Sequence, residues 1–313
     1  MPNVSIIIPL LNKGPYIKRA IDSILAQEYQ NFEIIVVDGG STDDGPDIVK
    51  SIKDSRLKFI IQPTKGVSEA RNFGVEKSHG SSIAFLDADD EWLPSHLTTL
   101  MRLLEKFPDA GAYSTAYKIF NTEGRLRWPK YRKIPPPPWE GLLPNYFSSA
   151  VHGEYPLWTS AVCIPKKIFI ELGGFPIGAW WGEDADLWGK IALKYPIAFS
   201  WEIGAIYHWD APNRACSRPS LKEEPFVKTG RQAIAENLVP SALLPDLMEY
   251  INKKEIYRAA CNIMEGNPEL SRRVLSDTDT RLFYPQKILL IVFSCLPQKI
   301  ARSLIRFFIN HDF

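Results

Sequence analysis

The sequence predicts an α/β fold with a mostly parallel sheet, and two patterns in its N-terminal third carry that prediction. Short runs of β-branched and apolar residues alternate with segments of helical spacing, which is the arrangement of βαβ units. One apolar run, Ser82–Leu86, is followed at once by Asp87, Asp89, Asp90 and Glu91. A strand that is apolar throughout is typical of a parallel sheet covered by helices, and such sheets bind ligands at the carboxyl ends of their strands.

The predicted elements follow one another closely along the chain. Apolar residues recur at helical spacing between Ile17 and Leu25, which predicts the first helix. Ser41 or Thr42 is predicted to cap a second helix, which runs through Ile52. The other predicted elements are strands at Val4–Pro9, Phe32–Asp38, Leu57–Ile61, Ser82–Leu86, Ile197–Trp201 and Ala205–Trp209, and helices at Gly66–Lys77, Pro94–Lys106 and Asp184–Lys194.

Two segments differ from this alternation. Residues 120–157 include the run Pro135–Pro138, which predicts an extended surface loop, either a solvated connection or a lid on the acceptor side. From Pro225 the chain shows helical periodicity, and its last part places Lys299 and Arg302 among apolar residues. The apolar run within residues 286–313 is too short to span a bilayer. We therefore expect either a membrane-surface helix or a helix packed on protein.

Composition excludes several classes of function. The chain has 37 basic and 36 acidic residues, a balance that gives no electrostatic basis for nucleic-acid binding. Four widely spaced cysteines favour neither a zinc site nor a disulfide framework, and they fit a reducing cytosol. The N-terminus lacks the features of a signal peptide, so a cytoplasmic location is expected. The loop after Asp38 matches neither common nucleotide-binding glycine motif.

The carboxylates at the strand ends indicate a binding site. Crowded carboxylates repel one another unless cations or hydrogen-bond donors offset their charge, and oxygen ligands suit Mg²⁺ or Mn²⁺ shared with a substrate phosphate. Asp38 ends the second strand and offers an acceptor for a base or a ribose hydroxyl. The alternative is an acidic turn that only caps the next helix.

Five segments, in this order, resemble the inverting, metal-dependent glycosyltransferases of family 2, which have the GT-A fold. They are Pro9–Asn12, Val36–Asp43, Gly66–Asn72, Phe85–Asp90 and the stretch from Gly173 to Trp188. The sequence departs from the family pattern at Val37, where Asn or Asp is usual, and at the additional Gly39. The resemblance implies a Rossmann-like GT-A domain over residues 1–224, with a nucleotide-sugar half at 1–110 and an acceptor half at 111–224. Residues 225–313 would form a helical extension.

The resemblance also assigns roles to single residues on the donor side. Asp38 would hydrogen-bond the base, and Arg71 would face the donor diphosphate, although Arg71 is also compatible with a helix surface. Asp87 and Asp89 would form the metal-binding pair, with Asp89 the main candidate for direct coordination and His208 a second ligand. The cluster allows two registers, so which of Asp87, Asp89 and Asp90 contacts the ion stays open. The alternative for His208 is a core residue. The remaining nucleotide-sugar-binding residues implied are Pro9, Leu11, Asn12, Gly40, Ser41, Asp87 and Ala88.

On the acceptor side, Asp184 would be the general base, with Glu183 beside it, and helix capping is the structural alternative for both. Trp180 and Trp181 either stack on a sugar ring or belong to the core. The predicted function is hexosyl transfer from a nucleotide donor, expected to be a UDP-sugar, to a glycan or lipid-linked acceptor in cell-surface polysaccharide synthesis at the inner membrane face. The alternatives are a sugar-phosphate nucleotidyltransferase and a non-catalytic nucleotide-sugar-binding protein. The oligomeric state stays open.

Overall fold

A computed structural model describes residues 2–209, 211 and 220–312 of the chain, without the side chains of residues 307–312. The chain divides into two compact units, Met1–Asn213 and Arg214–Phe313. The sequence alone placed this division at residue 224. One of the four cysteines, Cys216, lies outside the described residues.

The first unit contains one mixed sheet. Its described strands are β1 (Val4–Leu10), β2 (Phe32–Asp38), β3 (Leu57–Ile61), β4 (Ser82–Phe85), β5 (Glu91–Trp92), β6 (Ala112–Phe120), β7 (Leu126–Arg127), β8 (Glu140–Leu142), β9 (Val162–Pro165) and β10 (Ile197–His208). The order is β3-β2-β1-β4-β9-β6-β10-β5, with β7 paired to β6 and β8 paired to β10. Strands β3, β2, β1 and β4 are parallel, so their carboxyl ends lie at one edge of the sheet.

Strand β9 interrupts the parallel arrangement. It runs antiparallel to both β4 and β6, while β6 and β10 are parallel to each other. The two strands predicted at Ile197–Trp201 and Ala205–Trp209 form the single strand β10. Its register with β6 shifts between Ser200 and Ile203 and again before Ala205. The predicted α/β class with a helical C-terminal region is confirmed.

The first unit contains the helices that the sequence predicted, within a few residues of their expected bounds, and two short helices, after β8 and after β9, that it did not predict. They are α1 (Gly14–Leu25), α2 (Gly45–Ser51), α3 (Val67–Glu76), α4 (His96–Lys106), α5 (Tyr146–His152), α6 (Lys166–Glu171) and α7 (Glu183–Lys194). Ile17, Ala20, Ile21 and Ile24 are fully buried, as the helical spacing of α1 requires. The predicted cap at Ser41 or Thr42 is wrong, because α2 begins at Gly45 after Asp44.

The prediction of one extended loop over residues 120–157 is also wrong in part. The segment contains β7, β8 and α5, and the proline run lies between β7 and β8. Asn145 caps α5 through its side chain, which accepts a hydrogen bond from the Ser148 backbone N–H. The sequence analysis gave the prolines too much weight, since two- and three-residue strands fit on either side of them.

The second unit is helical in its described residues. It consists of α8 (Pro225–Ala235), α9 (Leu244–Met264), α10 (Pro268–Ser276), α11 (Tyr284–Phe293) and α12 (Gln298–Asp312). Leu290 on α11 and Ala301 and Ile305 on α12 pack into one apolar cluster with residues of α9 and α10. Among the described helices, none combines the length and the apolar content that crossing a bilayer requires.

Candidate active site

The loops after β1 and β2 are held together by Asn12. Its side-chain oxygen accepts hydrogen bonds from the backbone N–H and the hydroxyl of Thr42, at 2.8 and 3.2 Å. Its own backbone N–H donates to the Ser41 hydroxyl at 3.0 Å, and its φ of 52° lies in the left-handed region. Asparagine tolerates this conformation better than most residues. The Asn12 contacts therefore shape the pocket edge that the sequence assigned to the nucleotide.

Asp38 is the last residue of β2 and precedes the second of these loops. It is buried, and its carboxylate accepts the backbone N–H groups of Gly40 and Ser41 at 3.1 and 3.2 Å. An ionised carboxylate has about four acceptor positions, so these bonds leave capacity for a ligand. Pro9 lies near the end of β1 and is partly exposed, whereas Leu11 in the following loop is exposed. A Cβ added at Gly40 would meet no atom within 4 Å, so this side of the loop is open.

Asp89 is paired with a residue that sequence analysis did not assign to the site. The Lys13 ammonium lies 2.6 Å from Asp89 Oδ2, and each side chain is only 15% exposed. The backbone oxygen of Asp89 accepts a hydrogen bond from the Arg19 guanidinium. The available signal was a basic residue in the loop between the first strand and the first helix, at the sheet edge where the carboxylates collect.

Asp90 points into the protein. Its carboxyl is bonded to the Ser160 hydroxyl at 2.5 Å and accepts the backbone N–H of His208 at 3.1 Å. Burial, followed by the charges of Asp89 and Asp87, raises the pKa of Asp90 well above its usual range. Asp90 therefore keeps its proton to a higher pH than an ordinary aspartate, and its hydrogen bond to the His208 backbone ties the strand-end cluster to β10.

His208 lies at the end of β10 and is buried beside the ring of Phe120. Its Nε2 is 3.6 Å from Glu91 Oε1, and this contact lowers the pKa of Glu91. The backbone N–H of His208 donates a hydrogen bond to Asp90, as described above. Its side chain thus lies among the cluster residues, but its charged neighbour is Glu91. Ala88, between Asp87 and Asp89, is buried.

Arg71 joins the two halves of the predicted site. Its guanidinium donates to Asp87 at 2.8 Å and to Glu183 at 2.9 Å, and only 5% of the side chain is exposed. Burial alone would lower the pKa of Arg71, but the carboxylates of Asp87 and Glu183 outweigh it and raise that pKa. Burial and the neighbouring Asp184 raise the pKa of Glu183, against the effect of Arg71. The bridge places the start of α7 next to the end of β4.

Glu183 and Asp184 begin α7 and have different surroundings. Glu183 is buried and bound to Arg71, while Asp184 is partly exposed and accepts the backbone N–H of Ala185 at 2.7 Å. Asp186 is almost fully buried and pairs with Lys190 one turn later at 2.6 Å. Of the three carboxylates, Asp184 is the most accessible to an acceptor hydroxyl.

Helix α3 also holds the segment before α7, residues 173–182. Asn72 binds the backbone of Phe175 twice, donating to its oxygen at 2.8 Å and accepting its N–H at 3.0 Å. Glu69 accepts the backbone N–H of Gly178 at 2.8 Å. Trp180 is 42% exposed, and its ring centroid lies 6.2 Å from that of the partly exposed Trp181. An exposed tryptophan shortly before Asp184 in the sequence offers an apolar ring face on which a sugar could stack.

The residues present fit a divalent cation only in part. Within the described residues, no three His, Cys, Asp or Glu side chains converge on one point. Mg²⁺ bound together with a substrate phosphate needs only one or two protein carboxylates, and hard oxygen ligands suit both Mg²⁺ and Mn²⁺. Asp89 and Asp87 are carboxylates of this kind, and each already attracts a cationic side chain. The donor set therefore suits a metal that a diphosphate brings with it.

The sheet order and the carboxylates at its edge define the GT-A class of α/β proteins. Residues 5–156 match the family model described as Glycosyl transferase family 2. The resemblance noted in the sequence is thereby confirmed.

Two curated relatives are described as uncharacterized glycosyltransferases. The chain is 28% identical over 306 residues to an uncharacterized glycosyltransferase of Rickettsia felis, which covers 91% of this chain and 48% of that protein. It is 30% identical over 207 residues to one of Rickettsia prowazekii, covering 64% of this chain and 62% of that protein. The chain thus spans about half the length of the first curated relatives it matches.

Two solved structures show the fold at low sequence identity. The complex of S. aureus TarS 1-349 with UDP-GlcNAc has a TM-score of 0.67 at 18% identity, over 98% of this chain and 92% of that one. The mannosyltransferase PcManGT of Pyrobaculum calidifontis, in complex with GDP-Man and Mn²⁺, has a TM-score of 0.53 at 19% identity, over 98% and 85% of the two chains.

Proposed function

We propose that this chain transfers a hexosyl group from a nucleotide sugar, with a UDP-sugar as the expected donor, to a hydroxyl of a glycan or lipid-linked acceptor. The observation that carries the proposal is the Arg71 bridge, which joins Asp87 on the donor side to Glu183 beside Asp184. Both solved neighbours are complexes with nucleotide sugars, which supports a donor of this class.

Each residue of the site has a task in an inverting transfer. Asp38 and the Asn12 loop would bind the nucleoside, and Arg71 would orient Asp87 toward the diphosphate. Asp184 would accept the proton of the acceptor hydroxyl as its oxygen attacks the anomeric carbon. Glu183, held by Arg71, would position α7 rather than take the proton. A Mg²⁺ or Mn²⁺ ion held by Asp89 and Asp87 would offset negative charge on the departing nucleoside diphosphate.

The test combines a donor panel with one substitution. We expect the wild-type protein with Mn²⁺ to release a nucleoside diphosphate from at least one of UDP-glucose, UDP-N-acetylglucosamine, UDP-galactose and GDP-mannose. Asp184→Asn should lower turnover by about 10² or more, because the attacking hydroxyl loses its base, while affinity for the nucleotide stays near wild type.

The control is Asp22→Asn, which removes a solvent-exposed carboxylate that pairs with Lys18 on α1 and should leave turnover unchanged. Loss of donor affinity in Asp184→Asn with normal residual turnover would contradict the base assignment. Release of pyrophosphate from a nucleoside triphosphate and a sugar phosphate would instead favour the nucleotidyltransferase. Donor binding with no turnover toward any acceptor would favour a non-catalytic binding protein.

We also propose that the second unit binds the inner membrane face at its periphery, where a lipid-linked acceptor would be available. Leu290, Ala301 and Ile305 face the core of that unit. The opposite faces of α11 and α12 carry apolar side chains that are 40–52% exposed, together with Lys299 and Arg306. The exposed apolar residues are Ile288, Leu289, Val292, Ile300 and Leu304. Apolar and basic side chains on one surface are the features of an interfacial helix.

A further inference from the structure

We infer that Lys13 is an exchangeable counter-ion of Asp89, which leaves this carboxylate when a metal ion and the donor diphosphate bind together. The inference rests on the proposed function, because it assumes that Asp89 receives a metal. It adds a residue to the site and predicts that metal and nucleotide bind cooperatively.

The contact between Lys13 and Asp89 is close and sheltered. The two groups are 2.6 Å apart with 15% of each side chain exposed, and charges attract more strongly where solvent is partly excluded. A divalent ion that approaches Asp89 therefore competes with an ammonium already in contact with the same oxygen. Because the attraction between two charges grows as they approach and as solvent is excluded, we expect the Lys13 contact to weaken the binding of a metal alone by about tenfold.

The chain holds the backbone of Lys13 in place, whereas its side chain has several rotatable bonds. The Lys13 carbonyl accepts the backbone N–H groups of Tyr16 and Ile17 at 3.0 and 2.9 Å, which starts α1. The preceding residue, Asn12, is bonded to the loop after β2. A lysine has a flexible four-carbon stem, so its ammonium is able to change partners while the backbone stays in position.

The neighbouring carboxylate, Asp87, pairs with a cation that is not expected to exchange. Its partner Arg71 is 5% exposed and holds Glu183 with its other nitrogen, so exchange at Asp87 would break a buried bridge between two elements. Removing one partner of such a buried pair is strongly unfavourable. Exchange is therefore expected at Asp89, and Arg71 stays in place.

Displacement of Lys13 by a metal alone would leave its ammonium without this carboxylate in a sheltered position. A diphosphate supplies new oxygen partners for the ammonium, so metal and nucleotide should each strengthen the binding of the other. Such coupling is reciprocal by thermodynamic necessity.

The experiment measures the Kd of Mn²⁺ by electron paramagnetic resonance, with and without UDP. In the wild type, Mn²⁺ alone should bind weakly, and UDP should lower the Kd of Mn²⁺ by about tenfold or more. In Lys13→Met, Mn²⁺ alone should bind about tenfold more tightly, and the gain from UDP should shrink because both effects of the ammonium are lost. Lys13→Arg keeps the charge and should behave like the wild type.

Lys18→Met is the matched control, since Lys18 pairs with Asp22 on the solvent face of the same helix and should leave both constants unchanged. Equal Mn²⁺ affinity without UDP in the wild type and in Lys13→Met overturns the inference, as does an undiminished gain from UDP in that variant. Turnover of the nucleotide-sugar panel by the wild type is measured separately. Its absence contradicts the proposed function whatever the result at Lys13.

Discussion

Asp89 and Asp90 are adjacent in sequence and have opposite surroundings. Asp89 meets a lysine at the partly exposed edge of the site, whereas Asp90 is 1% exposed and bonded to Ser160 and to the backbone of His208. The sequence predicted the position of the acidic cluster but left open which aspartate binds the metal. The partners that turn Asp90 inward lie 70 and 118 residues further along the chain, so no local pattern could reveal its direction.

The raised pKa of Asp90 leads to a prediction that separates its role from that of a metal ligand. The raised pKa favours the protonated carboxyl, whose donor and acceptors resemble those of an amide, so Asp90→Asn should unfold in urea within about 1 kcal/mol of the wild type. Asp90→Ala leaves the Ser160 hydroxyl and the His208 N–H buried without this partner and should cost about 2 kcal/mol or more. A well-folded Asp90→Asn that no longer bound Mn²⁺ in the presence of UDP would instead assign Asp90 to the metal.

Among the elements, α3 connects the parts of the site. Ser68 and Asn72 bind the backbone of residues 173–182, and Arg71 reaches both Asp87 and Glu183. The sequence predicted this helix from its spacing and assigned Arg71 to the donor. Its contacts with the segment before α7 span more than a hundred residues of sequence, and only the folded chain shows them. The antiparallel direction of β9 was likewise hidden, because an apolar run looks the same in either direction.

At the opposite edge of the sheet, Glu33 on β2 links two neighbouring strands and the loop before β4. Its carboxylate accepts hydrogen bonds from Ser5 on β1, Lys58 on β3 and the backbone of His79 before β4. Burial alone would raise the pKa of Glu33, but these hydrogen bonds outweigh it and lower the pKa from 4.5 to about 2. The stabilisation is therefore fully present above pH 4.5 and is lost as the pH falls through 2.

Glu33→Gln removes that ionised carboxylate far from the candidate site. Near pH 7 we expect the variant to lose about 2 kcal/mol of unfolding free energy, a figure reduced from the full pKa shift because Lys58 is half exposed. The loss should diminish as the pH falls from 4.5 toward 2 in urea unfolding curves, while UDP affinity at pH 7 stays unchanged. Glu76→Gln, which removes an exposed carboxylate on α3, is the control. A pH-independent difference would show that Glu33 acts through packing and not through its charge.

For the whole molecule, the two units differ in how much of their structure the sequence could predict. The first unit follows family motifs that fix strand ends and loops, so its class and site location were predictable. The second unit has only helical periodicity to guide prediction, and apolar residues at that spacing serve a core, a partner or a lipid surface equally well. The structure shows which apolar residues serve the core: Leu290 and Ile305 lie inside the unit, whereas Val292 and Ile300 lie on its surface.

This division determines how membrane binding must be tested. Deleting α11 and α12 would also remove Leu290 and Ile305 from the core of the unit, so loss of binding could reflect unfolding. Replacing only the exposed Ile288, Val292, Ile300 and Leu304 by Ser keeps the core and should lower sedimentation with phosphatidylglycerol vesicles about tenfold or more, because less apolar surface enters the interface. Leu238→Ser with Leu270→Ser, exposed leucines elsewhere in the unit, is the matched control. Unchanged sedimentation of the fourfold variant would contradict the membrane proposal and leave the exposed faces of α11 and α12 to another partner.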